Sequence, residues 1–241
     1  MPEDLLVVEK LNKRFGAQVV IENLSFSVKR GARVTVFAPS SAGKTTLIHI
    51  LTGLDRDYEG SFTLAASRPV TIFQEPRLFP YMTVEENVFL PARIRPISIT
   101  ADLRPAYERW LDVCGLSGFA SHYPYQLSGG MKQKVALIRG FLTGPDFVML
   151  DEPFKSIDLA SKQAIIRHIR DMYPQVTVLF VTHAIEEVPL LTDSLLLFKT
   201  NRLAEYRPFR ICDETHPDHD LTESHHFGTE SHIFGMEAIY G

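Results

Sequence analysis

Val34-Thr35-Val36-Phe37-Ala38-Pro39-Ser40-Ser41-Ala42-Gly43-Lys44-Thr45-Thr46 is the stretch whose reading decides the fold. Its apolar head predicts a buried strand, and Lys44 to Leu51 predicts a helix. Between them lies a loop of small residues ending in Gly-Lys-Thr. Such a loop brings several backbone N–H groups to bear on phosphate oxygens, at a helix N-terminus whose partial positive charge favours anions. Lys44 is expected to reach the outer phosphates, and the Thr45 hydroxyl to ligate Mg2+. The pattern G-x-x-x-x-G-K-[ST] is matched with two departures: Ala38 stands where the first glycine is usual, and Ser41 where another often sits. A Cβ at either position costs on the order of 1 kcal/mol if φ is positive, and nothing otherwise. Taken alone, the loop also reads as a Ser/Ala-rich turn.

The chain around it is an ordinary soluble one in composition. Its 241 residues are 45% hydrophobic, and no apolar run approaches the ~20 residues needed to cross a bilayer. The start, Met1-Pro2-Glu3-Asp4, lacks the basic-then-apolar plan of a secretory signal. Cys114 and Cys212 form no metal or redox motif, which fits a reducing cytoplasm. A net charge of −4 gives no electrostatic case for nucleic acid. The charge is unevenly spread. From Ile211 onward there are seven acidic residues and no Lys or Arg, leaving 22 acidic against 25 basic, about +3, in the rest.

In chain order, Leu5 to Glu9, Val19 to Ile21 and Ser25 to Val28 predict strands at the entry to the domain. Phe15, between them, offers either an aromatic face for stacking or a cap on the core, and the residues alone favour the cap. Gly60 to Leu64 and Val70 to Phe73 predict two more strands, the second ending in Gln74. Thr83-Val84-Glu85-Glu86 has capping-box spacing, so a helix is expected there. Pro91 and Pro96 are expected to break the chain before Thr100, a second candidate N-cap, and a helix is expected over 103–116, ending at Gly115. Leu127-Ser128-Gly129-Gly130 opens another helix, with Ser128 as N-cap and Met131, Val135, Ile138 and Leu142 on its core face. The Ser128-Gly129-Gly130 head suits an anion, although alone it also reads as a plain turn.

Phe147 to Leu150 is fully apolar and predicts a central parallel strand. It runs into Asp151-Glu152-Pro153, two carboxylates where open α/β sheets bind ligands. Asp151 suits Mg2+ through water, and Glu152 suits a base that activates water, with a solvated loop as the competing reading of the pair alone. Asp158 caps the next helix. Val176 to Val181 is a further buried strand whose end places His183 at the same sheet edge, where it could hold a γ-phosphate, although alone it reads rather as a structural histidine. Ser194 to Phe198 and Arg202 to Tyr206 predict a closing hairpin. The last segment, 211–241, holds His216, His219, His225, His226 and His232 among acidic residues. It reads as a solvated tail or a flap, or as a site for a divalent cation such as zinc without clean tetrahedral spacing.

Taken together and in order, these pieces resemble the ATP-binding cassette (ABC) ATPases over about residues 5–206. The resemblance is carried by the phosphate loop at 38–45, Gln74, Leu127-Ser128-Gly129-Gly130, Asp151-Glu152, Ser156-Ile157-Asp158 and His183. Phe73 to Pro80, Met131-Lys132-Gln133 and Asp151-Glu152-Pro153-Phe154 are in the style of bacterial importers of nitrate, sulfonates or taurine, as is Val181 to Glu187. Lys155-Ser156-Ile157 departs from it, standing where smaller residues are usual.

The resemblance implies an α/β, P-loop NTPase core with a parallel sheet, an antiparallel β subdomain and a helical signature subdomain at about 76–141. The ATPase domain would span 1–210, with 211–241 as the tail. It implies ATP and Mg2+ as ligands. Ser40, Ser41, Ala42, Gly43, Lys44, Thr45 and Thr46 would cradle the phosphates, and Phe15 would stack on adenine. Thr45, Gln74 and Asp151 would serve the metal, Glu152 would polarise water, and His183 would contact the γ-phosphate. Ser128, Gly129 and Gly130 would complete the site of a second subunit in a homodimer or a pair of ATPase subunits. Transmembrane permease subunits and a solute-binding protein would be the partners, at the cytoplasmic face of the membrane. A soluble cassette of DNA repair or translation, and a cassette that binds ATP without turning it over, are the competing classes.

Overall fold

The computed structural model describes residues 3–94 and 103–211. The chain starts with two long antiparallel strands, β1 (Asp4–Phe15) and β2 (Gln18–Lys29), joined through Gly16 at φ 58°. Strand β3 (Arg33–Phe37) leads through the phosphate loop into α1 (Lys44–Leu51), followed by β4 (Glu59–Leu64) and β5 (Pro69–Ile72). Three helices come next: α2 (Val84–Ile94), α3 (Arg104–Val113) and α4 (Gly129–Phe141). The chain then alternates through β6 (Phe147–Asp151), α5 (Leu159–Met172) and β7 (Thr177–Thr182), and closes with β8 (Ser194–Leu197) and β9 (Arg207–Arg210).

Two sheets result. One is antiparallel, in the order β2-β1-β4. The other runs β5-β6-β7-β3-β8-β9, parallel except for β9. The period of two along a strand decides which side of the large sheet each residue serves. Val148, Leu150, Val178 and Phe180 pack towards α3, α4 and α5. Phe147, Met149, Leu179 and Val181 face the opposite way, joining α1 and the antiparallel sheet in a second core. Because both faces are covered, these strands read as unbroken apolar runs.

The capping box is present: Thr83 N donates to Glu86 Oε2 (2.7 Å), and Glu86 N donates to Thr83 Oγ1 (3.2 Å). Two expectations are corrected. Pro91 does not end its helix but sits inside α2, which runs on to Ile94. Its ring lines a small cavity that Ile72, Ala136 and Gly140 also line, and α2 is held against α4, which offsets the backbone bond the proline removes. The closing hairpin pairs β8 with Arg207–Arg210 rather than with 202–206. Leu203 is instead buried and lies beside Ile21 of β2, its amide donating to the Val20 carbonyl and its carbonyl accepting from Glu22 N, because its side chain completes the second core. Thr100 and the residues from 212 to 241, with the histidines named above, lie outside the described residues. No helix among the described residues is long and apolar enough to cross a membrane.

Candidate active site

The expected site residues come from loops that leave the C-terminal ends of neighbouring parallel strands. Register brings these ends level: Phe37 pairs with Thr182, Asp151 with Val181, and Ile72 with Leu150. A cavity of about 400 Å3 opens there. Its lining includes Ser40, Ser41, Gly43, Lys44, Thr45 and Thr46 from the loop, with Gln74, Glu152 and His183 from the other strand ends. Phe15 stands at its rim, 53% exposed. It therefore does not cap the core, correcting the reading of that residue in isolation. Its ring carries the Lys13 ammonium 4.7 Å from its centroid.

The two departures in the loop have different consequences. Ala38 is fully buried and is absent from the residues with positive φ, so its Cβ costs nothing. Ser41 has φ 64° and carries the left-handed cost. Gly43 is required on two counts. Its φ is 96°, and a Cβ there would stand 2.4 Å from Val20 Cγ1, where β2 passes beneath the loop. Ala42 is buried under the loop and lines no part of the cavity.

Lys44 is buried, and its ammonium donates to the carbonyls of Ala38 (2.9 Å) and Pro39 (2.8 Å). Burial lowers its pKa, opposed by the charges of Glu152 and Asp151. Glu152 Oε1 is 3.8 Å from Lys44 Nζ and 2.7 Å from His183 Nδ1. With the carboxylate ionised, the imidazole donates from Nδ1, which directs Nε2 away from Glu152. Glu152 itself is held at φ 46°, with its amide donating to the Val181 carbonyl (2.9 Å). A non-glycine residue in that conformation costs of order 1–3 kcal/mol, and such strain gathers at functional sites. The His183 turn is fixed from behind. Ala184 N donates to Thr182 Oγ1, Thr182 Oγ1 donates to the buried Glu187, and Lys162 closes the pair at 2.5 Å.

Asp151 lies deeper, 1% exposed, and its Oδ1 has no hydrogen-bond partner. Burial raises its pKa, the Thr45 hydroxyl opposes the rise, and the neighbouring Glu152 adds to it. A buried carboxylate oxygen without a partner, beside a threonine hydroxyl and on the strand next to the one that leads to Gln74, belongs to a set of hard oxygen donors that fits Mg2+. A carboxyl whose folded-state pKa is raised costs nothing while both states hold the proton. Its cost grows as pH rises from the ordinary carboxyl range through the raised value. Asp151→Asn is therefore expected to stabilise the nucleotide-free protein at pH 7 by on the order of 1 kcal/mol, seen as a higher melting temperature. The gain should fade towards pH 3.5, and Mg2+-dependent turnover should be lost. Melting curves at the two pH values in EDTA check this.

Ser128, Gly129 and Gly130 do not line the cavity. Ser128 caps α4, its Oγ accepting from Met131 N at 3.2 Å. A Cβ at Gly130 would stand 2.4 Å from the Ser156 carbonyl oxygen, so glycine is needed where α4 meets the turn leading to Asp158. The same helix holds the segment after β5. Gln133 Nε2 donates to the Phe73 carbonyl (3.0 Å), and Arg139 donates to those of Pro76 (2.9 Å) and Arg77 (3.0 Å). Gln74 and the Ser128 helix are thus tied to one another.

Three cavity-lining residues escaped the sequence reading: Gln18 and Val20 of β2, and Lys155. Lys155 was visible only as a departure from an otherwise matching motif. Gln18 carried no signal, because only the pairing of β1 with β2 brings it over the loop.

Comparison with known proteins agrees with this geometry. The family model described as ABC transporter matches residues 21–155. The chain is 34% identical over 200 residues, 79% of its length and 78% of the relative's, to an aliphatic sulfonates import ATP-binding protein of Bacillus cereus. Among solved structures it resembles an ATP-binding subunit of an ABC transporter, with TM-score 0.75, 26% identity, and coverage of 84% of this chain and 89% of that one. It has the fold of a dimeric ATP-binding cassette in a post-hydrolysis state with ADP and Pi, with TM-score 0.75, 23% identity, and coverage of 86% and 99%. With a strained carboxylate and a histidine poised over a phosphate loop, and with these relatives, the chain belongs to the ABC transporter family, among its ATP-hydrolysing ATP-binding subunits.

Proposed function

We propose that this subunit binds Mg-ATP as a homodimer and powers import of a small organic anion of the sulfonate type through separate membrane-spanning partners. The observation that carries the hydrolytic part is the contact of 2.7 Å between His183 and Glu152 over the cavity that holds Lys44. The sulfonate class is suggested by the name of the Bacillus relative. A dimer is supported by the solved cassette dimer of the same fold, and by the position of Ser128, Gly129 and Gly130 away from this chain's own cavity. Residues 1–210 would form the ATPase domain, with the helices between 76 and 141 as the subdomain that presents Ser128. The protein would sit peripherally on the cytoplasmic face of the membrane.

In this reading Ser40 to Thr46 hold the phosphates through loop amides, with Lys44 supplying charge. Thr45, Gln74 and Asp151 would hold Mg2+, which supplies charge neutralisation on the phosphate oxygens. Glu152 accepts the proton of the attacking water. His183, fixed by Thr182 and Glu187, keeps that carboxylate in place and presents its remaining nitrogen to the γ-phosphate. Phe15 offers a flat face to adenine. Hydrolysis is then chiefly a matter of positioning and charge. The test is phosphate release by the purified chain. It should require Mg2+, stop with EDTA, and rise more than linearly with protein concentration if two copies form the site. Absence of both ATP binding and phosphate release would overturn the reading.

A further inference from the structure

The turn after Glu152 carries a charged residue that the reading above leaves without a task. Lys155 lines the cavity, and its ammonium stands 3.9 Å from Glu152 Oε2. Lys44 approaches the other oxygen of that carboxylate at 3.8 Å, and His183 does so at 2.7 Å. Three nitrogen groups therefore converge on one carboxylate at the mouth of the phosphate loop. We propose that Lys155 is a second phosphate-binding cation of this site, which engages the terminal phosphate of ATP and rests on Glu152 when no nucleotide is bound. The proposal rests on the ATPase reading and adds a residue to it.

The backbone fixes where Lys155 points. Glu152 is left-handed, and Lys155 N donates back to the Glu152 carbonyl at 3.4 Å, closing a tight turn. The next anchor is Phe154, fully buried against Phe180, and Ile157 follows it into the core. With Phe154 turned inward, its neighbour Lys155 is turned out over the cavity. Its hold on Glu152 is weak. A separation of 3.9 Å exceeds hydrogen-bond distance, and the side chain is 57% exposed. A pair of that kind contributes little to stability. A terminal phosphate, with more charge and three oxygens, attracts an ammonium more strongly than one carboxylate does. In ATP that group is the γ-phosphate, which ADP lacks. Drawing Lys155 onto the phosphate also removes one of the cations resting on Glu152, leaving the carboxylate freer to accept a proton.

The experiment measures ATP and ADP affinities of the full chain with Mg2+, for the wild type, Lys155→Ala and Lys155→Arg, each also in a Glu152→Gln background. Lys155→Ala should weaken ATP about fivefold, the upper end for a solvent-exposed ion pair, and ADP less than twofold. Lys155→Arg should restore most of the loss. The loss should persist with Glu152→Gln, because the contact is to phosphate and not through the carboxylate. Equal weakening of ATP and ADP would overturn the proposal, as would unchanged ATP affinity. Disappearance of the loss in the Glu152→Gln background would also overturn it, reducing Lys155 to a group that positions Glu152. A wild-type chain that binds neither nucleotide would remove the ATPase reading and the proposal with it.

Discussion

Glu152→Gln is expected to slow phosphate release about 100- to 10,000-fold, the usual worth of a general base, while ATP still binds. Gln has the shape of Glu and occupies the same left-handed turn at similar cost, so the backbone bond from position 152 to Val181 remains. What changes is the proton-accepting capacity of the atom that now faces His183 at 2.7 Å. With hydrolysis blocked and binding intact, ATP-loaded dimers should accumulate. Size-exclusion chromatography with Mg-ATP, compared with Mg-ADP, would show them, alongside single-turnover phosphate release. Turnover within tenfold of the wild type would mean that another group takes the proton, and the assignment of Glu152 would fall.

The second large effect is expected from Lys44→Ala, which should weaken ATP binding about 10- to 100-fold, the range for losing a charge-assisted hydrogen bond. Lys44 is buried, and its ammonium already spends two hydrogen bonds on the carbonyls of Ala38 and Pro39. Those bonds hold the loop closed around its own lysine. Removing the side chain takes a donor from both carbonyls, leaving Pro39 with only the amide of Ala42 (3.3 Å), and takes a nearby positive charge from Asp151 and Glu152. The effect on nucleotide should therefore come with some loss of loop order. Combined with Glu152→Gln, Lys44→Ala should abolish the ATP-dependent dimer. Calorimetry on the single variant and chromatography on the double variant separate the two effects. Retention of the dimer would show that the loop amides alone suffice.

Local chemistry explains which parts were legible in the residues. Ser128, Asp158 and the Thr83/Glu86 pair predict helix starts because a cap is a contact between residues three apart, and all three caps are present. Phe147 to Leu150 and Val176 to Val181 predict buried strands because a strand covered on both faces has no polar side to show. The prediction failed where a neighbour distant in sequence decides. A proline breaks a helix in isolation, but Pro91 is kept inside α2, which packs against α4. Leu203 belongs by pattern to a closing strand, yet the core beneath β2 claims it. Phe15 looks like a core residue by type, and its place at the end of β1 leaves it over open space.

The sequence by itself determined the order of the motifs, and with it the fold class and most of the groups that line the cavity. Gly-Lys-Thr after a strand, and Asp-Glu at the end of another, each also read as plain turns when taken alone, and it is their occurrence together and in order that states the chemistry. Tertiary structure alone decided how those groups meet. Strand order placed β7 between β3 and β6, so His183 reaches Glu152 and both face Lys44. It also left Asp151 with an unpartnered buried oxygen, and it turned Lys155 from an odd letter in a motif into a cation over the cavity. The physical reason is that a motif specifies backbone within a few residues, whereas distances between loops depend on strand register and on two cores packed across 200 residues.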